Sequence, residues 1–152
     1  FGRVRDFDVT DINNMGAAMA PAAAETLLRF FARSGRRPED YDAIYTGDLG
    51  FVGSRLLLEI LQSEGLPLQN HQDCGLLLYD RARQQVKAGG SGAGCSAAVL
   101  AAHILPGLAK GQLHRVLLIS TGALMSQTTF LQGESIPGIA HLVELLAPGT
   151  PV

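Results

Sequence analysis

Apolar and polar positions change their period several times along the chain, and these changes divide it into elements. Residues 2–9 (GRVRDFDV) set Val4, Asp6 and Asp8 against their neighbours in alternation, the pattern of a first strand. Asp11, Asn13 and Asn14 form a polar loop suited to capping a helix. The Ala-, Leu- and Arg-rich run that follows predicts a first helix over residues 21–34, with room for one more turn in front. Pro21 fits the first turn of that helix and Gly35 the position just past its end. Residues 41–46 (YDAIYT) read as a short buried strand that runs into Gly47, Asp48 and Gly50. Leu56, Leu57, Ile60 and Leu61 recur at helical spacing and place a second helix over residues 51–63, closed by Gly65 and Pro67. A third strand is expected at or just after residues 66–70, followed by the apolar run Leu76–Leu78. An Ala/Leu-rich helix leads from Cys95 and Ser96 to residue 109, where Lys110 and Gly111 close it. Residues 114–121 (HRVLLIST) predict a buried strand, residues 122–134 a loop, and residues 136–146 a last strand.

The order is βαβαβαββ. Alternation of this kind predicts an α/β domain with a mostly parallel five-stranded sheet, helices on both faces, and an antiparallel last strand at an edge. Residues 1–147 form the expected domain, and residues 148–152, with Pro148 and Pro151, an irregular tail.

Composition narrows the function classes. The chain has 152 residues, 47% of them hydrophobic and 17% charged, which suits one packed domain and argues against disorder. A formal net charge of −2 offers no basic surplus for nucleic acid. No apolar run approaches the roughly 20 residues of a membrane span. The start at Phe1, with no charged and apolar leader behind it, suggests a fragment or processed piece without a signal peptide. Two cysteines, Cys74 and Cys95, fit a reducing compartment without forbidding a bridge.

In open α/β sheets, ligands bind beyond the carboxyl ends of the strands. Three segments are expected to converge there: residues 47–50, the loop at residues 88–96, and residues 120–123. The loop carries four glycines among its nine residues and opens a helix, so its free N–H groups suit a carboxylate or phosphate. Gly90, Ser91, Gly92, Cys95 and Ser96 are its candidate contacts, with Thr121 from the neighbouring strand end. Equally, the glycines could serve tight packing alone. The spacing matches neither a dinucleotide fingerprint nor a P-loop. Asp48 could orient a ligand, bind a cation or accept a proton; it could equally cap the helix that follows or hold a turn. Cys95 at a helix start would be an activated thiol if exposed, and a small apolar residue if buried. His71, His103, His114 and His141 show no metal-ligand spacing, no Ser-His-Asp triad can be assembled, and no carboxylate cluster suggests calcium. Met15 and Met19 read as ordinary helix packing.

The run from Asn14-Met15-Gly16 to Pro21, its helix, and Tyr41-Asp42-Ala43-Ile44 with a polar strand end resemble the opening of the C-terminal half of thiolases. Where thiolases carry Asn-Glu-Ala, this chain has Gly47-Asp48-Leu49; where they carry Gly-His-Pro, it has the loop Gly89–Cys95 without His. The later strand ends Ile119-Ser120-Thr121-Gly122 without the thiolase Cys. The strings NNMGAAMAPAAAETL, DYDAIYTGDLG, DCGLLLYDR, AGGSGAGCSA, STGAL and SIPGIAH are more specifically similar to the stage V sporulation protein AD family of that superfamily.

The resemblance implies the C-terminal half of a thiolase-like fold without catalytic residues, and hence a binding component, not an enzyme. It implies a peripheral protein of the spore or forespore inner membrane that binds dipicolinic acid, requires no cofactor, and acts with membrane proteins of a spore transport system in dipicolinate uptake. Its own N-terminal half-domain and a second copy are the other partners implied. An acyltransferase with a divergent site, and a structural assembly module, are the alternatives. General acid–base work usually recruits a histidine, and none stands at the family position.

Overall fold

A computed structural model describes residues 1–151. The strand sequence HRVLLIST, with the unbroken apolar run VLLI at its centre, lies where such a run must lie, in the middle of a sheet covered on both sides. Four strands form that sheet: β1 (Ala43–Thr46), β2 (His71–Asp73), β3 (Arg115–Ala123) and β4 (Gly138–Leu146), in the order β2-β1-β3-β4. β1 runs parallel to both β2 and β3, with Ile44 opposite His71 on one side and Leu117 on the other. β4 pairs antiparallel with β3 from Arg115↔Leu146 to Ala123↔Gly138, so the expected antiparallel edge strand is present.

Helices cover both faces. On one face α1 (Met15–Ser34) and α2 (Gly50–Ser63) pack over Ile44, Leu117, Ile119 and Ala140. The two helices cross where glycines meet: a Cβ on Gly16 would stand 2.6 Å from the Leu49 carbonyl oxygen, and one on Gly53 2.9 Å from the Gly16 Cα. On the other face a continuous helical segment covers Ala43, Tyr45, Val116 and Leu118. It comprises α5 (Ala93–Val99), a π-helical stretch (Leu100–Ile104) and α6 (Leu105–Ala109). Pro106 has no N–H and its ring crowds the carbonyl four residues back, so the widened turn just ahead of it has a local cause. Short helices α3 (Cys74–Leu77), α4 (Arg81–Gln84) and α7 (Gln127–Leu131) lie in the connections.

Several expectations are corrected. Residues 2–9 are not a strand and the sheet has four strands, not five; the segment touches the sheet through the Arg5–Gly138 bridge. Its alternation offers no apolar face to bury, and Asp8 has φ 57°, which breaks an extended run. The third strand does follow residues 66–70, as expected: it is β2, with Leu68 buried as core filling on the approach and the ladder starting after Asn70, whose carbonyl accepts from Ile44 N–H. α1 begins at Met15, six residues ahead of Pro21, because the Gly16–Ala20 turn is held under α2 and β4. The expected loop after β3 contains α7, capped by Ser126. Residues 148–151 carry neither helix nor strand. Among the described residues no helix is long and apolar enough to cross a membrane.

Candidate functional site

The carboxyl ends of β1 and β3 bring Asp48 and Thr121 together. The Thr121 hydroxyl donates to Asp48 Oδ1 at 2.8 Å, and its oxygen accepts from the Asp48 N–H at 3.2 Å. The Gly-rich loop supplies the other side. Gly92 N–H donates to Asp48 Oδ2 at 2.6 Å and the Ser91 hydroxyl reaches the same oxygen at 3.4 Å. Gly92 is the residue immediately before α5, so the amide that the sequence offered to a ligand anion is held by the protein's own carboxylate.

The loop's glycines also serve close packing. Phe51 N–H donates to the Ala88 carbonyl at 2.8 Å and Gly90 N–H to the Gly75 carbonyl at 2.8 Å. Gly89 has φ 114° with Gly75 O 2.7 Å from where its Cβ would be, a position closed to any side chain. The loop's residues divide by role: Gly89 and Gly90 pack against Gly75, and Gly92 holds Asp48.

A cavity of about 240 Å³ opens beside this cluster, lined by Asp48, Gly90 and Ser91 together with Asn13, Asn14, Met15, Met19, Leu49 and Val52. Met15 and Met19, expected to be plain packing, form part of its wall. No lysine or arginine lines it, so Asp48 is its charged group. Gly92 and Thr121 act through Asp48. Ser96 takes no part: its hydroxyl donates to the Ala93 carbonyl one turn back.

Cys95 is buried, with Sγ 3.6 Å from the Gly47 carbonyl. Burial, with the charges of Asp73 and Asp48, pushes its thiol up to about 11. The activated-thiol reading of the helix start is thereby overturned, because desolvation outweighs the helix N-terminus. Cys74 is fully buried and pushed up to about 12 by the same cause. Both cysteines are free.

The family model for stage V sporulation protein AD matches residues 1–146. The chain is 50% identical over 141 residues to stage V sporulation protein AD of Bacillus subtilis (strain 168), covering 92% of this chain and 41% of that protein. This chain belongs to the stage V sporulation protein AD family. It spans less than half the length of that relative.

In this member of the sporulation family, the strand-end architecture depends on an acid that sequence reasoning passed over. Asp73 ends β2, is 2% exposed, and accepts four hydrogen bonds. Its Oδ2 takes the Thr46 hydroxyl at 2.7 Å and Leu49 N–H at 2.9 Å; its Oδ1 takes Gly50 N–H at 3.1 Å and Leu76 N–H at 3.2 Å. Asp73 thus caps α2 from across the sheet and α3 locally, the role that sequence allowed to Asp48. Burial pushes its carboxyl above the ordinary range, against the lowering effect of these donors. His71 completes the layer with Nε2 3.0 Å from Thr46 Oγ1, and burial lowers its imidazole to about 4. A strand-ending Asp before a helical turn signals a local cap; its reach to Leu49 and Gly50 is tertiary.

Proposed function

We propose that this chain is the non-catalytic, ligand-holding part of a sporulation protein that binds dipicolinic acid, with the Asp48 cavity as the contact. It packs as one half of a thiolase-like fold against its N-terminal half-domain. Peripheral at the spore or forespore inner membrane, the protein acts with membrane proteins of a spore transport system in dipicolinate uptake. Membership of a sporulation family supports the setting. The observation that carries the binding role is the cavity at the strand ends, whose carboxylate and loop are fixed by hydrogen bonds while both thiols are buried and hard to ionise. Such a site is organised to hold a molecule and lacks an activated nucleophile of its own. Asn13 and Asn14 offer amide donors and Met15, Met19, Leu49 and Val52 an apolar wall for a flat ring. The positive charge that a dicarboxylate requires comes from the rest of the protein, since the cavity wall in this chain has none.

Calorimetric titration of dipicolinic acid into the intact protein tests the reading. Asp48→Ala frees Ser91, Gly92 and Thr121 from their common acceptor, and the loosened loop is expected to weaken binding by about ten-fold, more than Ser91→Ala does. Undiminished binding in both variants would move the ligand elsewhere. Cysteine-dependent thioester turnover by the intact protein would overturn the non-catalytic role in favour of an acyltransferase.

A further inference from the structure

A second cavity, of about 430 Å³, lies between α1 and β4 and shares no lining residue with the Asp48 cavity. Thr26, Arg29, Phe30, Arg33, Leu142 and Glu144 line it. Arg29 is its unusual member. The Nε and Nη1 atoms of Arg29 are buried, and neither has a hydrogen-bond partner among the described residues. A guanidinium stays charged at any physiological pH, so buried N–H groups without an acceptor are a standing cost that an anion would relieve. Arg33 stands one helical turn further along α1 on the same cavity.

The hydroxyls and the carboxylate on the wall have partners: the Ser34 oxygen accepts from Arg36 N–H at 3.3 Å. Glu144 Oε1 accepts from Arg115 Nη1 at 2.6 Å and from the Tyr41 hydroxyl at 3.0 Å, and lies 3.8 Å from Arg36 Nε. The Thr26 hydroxyl donates to the Ala140 carbonyl at 2.9 Å. Neither Arg29 nor Arg33 forms an ion pair among the described residues. The uncommitted charge facing this cavity is therefore positive, beside an apolar wall of Phe30 and Leu142.

We infer that the cavity between α1 and β4 is an anion site, in which the carboxylate or phosphate of a small molecule accepts hydrogen bonds from Arg29 with Arg33 at the rim. Planar forks of N–H donors suit either group. The inference stands independently of the dipicolinate reading, because that reading concerns a different cavity.

Calorimetric titration of the intact protein with benzoate and with inorganic phosphate tests the site and separates its two chemistries. At least one anion is expected to bind, with Arg29→Met weakening it by about ten-fold or more and Arg33→Met by a few-fold. Benzoate alone would assign a carboxylate, and phosphate alone a phosphate. Arg29→Lys, which keeps the charge and loses the fork, is expected to bind with intermediate affinity and serves if the Met variant does not fold. Absence of binding by folded wild-type protein, or binding indifferent to the arginine substitutions, would each overturn the site.

Discussion

Asp73 and His71 are the residues at which small chemical changes should be felt most. Truncating Asp73 to Ala would leave three backbone N–H groups and the Thr46 hydroxyl without their acceptor. Buried donors left unpaired cost about 1–3 kcal/mol each, so Asp73→Ala should lower stability by at least about 3 kcal/mol, read as a shift of the urea midpoint. Asp73→Asn, which keeps one acceptor oxygen, should cost less. His71 supplies a pH dependence of defined sign. Its imidazole falls from an ordinary value near 6.5 to about 4 in the fold, so the folded state excludes a proton that the unfolded state accepts. Stability from this group is complete above pH 6.5 and is lost as pH falls towards 4, by up to about 3 kcal/mol. Asp73 works in the opposite sense: its raised carboxyl favours the fold at low pH and loses that contribution as pH rises through its folded value. The readout is therefore the comparison with His71→Gln, which should flatten the loss between pH 6.5 and 4. An unchanged acid limb in that variant would mean that another group controls it.

Between elements, the contact most sensitive to volume is the crossing of α1 and α2. Gly16 and Gly53 touch backbone to backbone, and an added methyl on either has no flexible side chain to displace. Gly53→Ala should therefore force the helices apart and cost about 1–3 kcal/mol. Because Asp48 and Leu49 lie between β1 and α2, the same substitution should also weaken ligand binding at the Asp48 cavity, measurable in the same calorimetric titration. The helix expected from Cys95 to residue 109 is continuous across Pro106: the chain keeps its direction by widening one turn ahead of the proline, with Ile104 and Leu108 buried on either side.

At the scale of the whole molecule, one face of the sheet is finished better than the other. Beyond the second face, Ala97, Ala98, Ala101 and Ala102 of the helical segment are exposed, next to the exposed leucines Leu77 and Leu78. Ala98, Ala102, Leu77 and Leu78 share a shallow apolar groove with His103. Apolar surface of this kind drives association. This chain by itself should self-associate with rising concentration in sedimentation velocity, and Leu77→Ser with Leu78→Ser should return it towards monomer. A strictly monomeric chain at high concentration would show that this face is stable in water.

Local sequence was sufficient for the long elements, though not for the short helix α7, whose cap from Ser126 to Thr129 is equally local. The period of apolar residues determined both long helices, β1, β3 and β4, because one-sided or two-sided burial writes itself into spacing. Glycine clusters and strand ends located the region of the candidate site, and family motifs pointed to the sporulation family. What depends on distant partners was not legible. Residues 2–9 alternate like a strand but find no free, apolar face to join. Asp48 and Asp73 are each acids at strand ends, equivalent in one dimension. Only the packed sheet, by setting β2 beside β1 and the loop beside β3, gave Asp73 the amides of α2 and Asp48 the amide of Gly92. Cys95 shows the same division: its place at a helix start was written in the sequence, while burial, decided by the layers above and below it, reversed the chemistry that place implied.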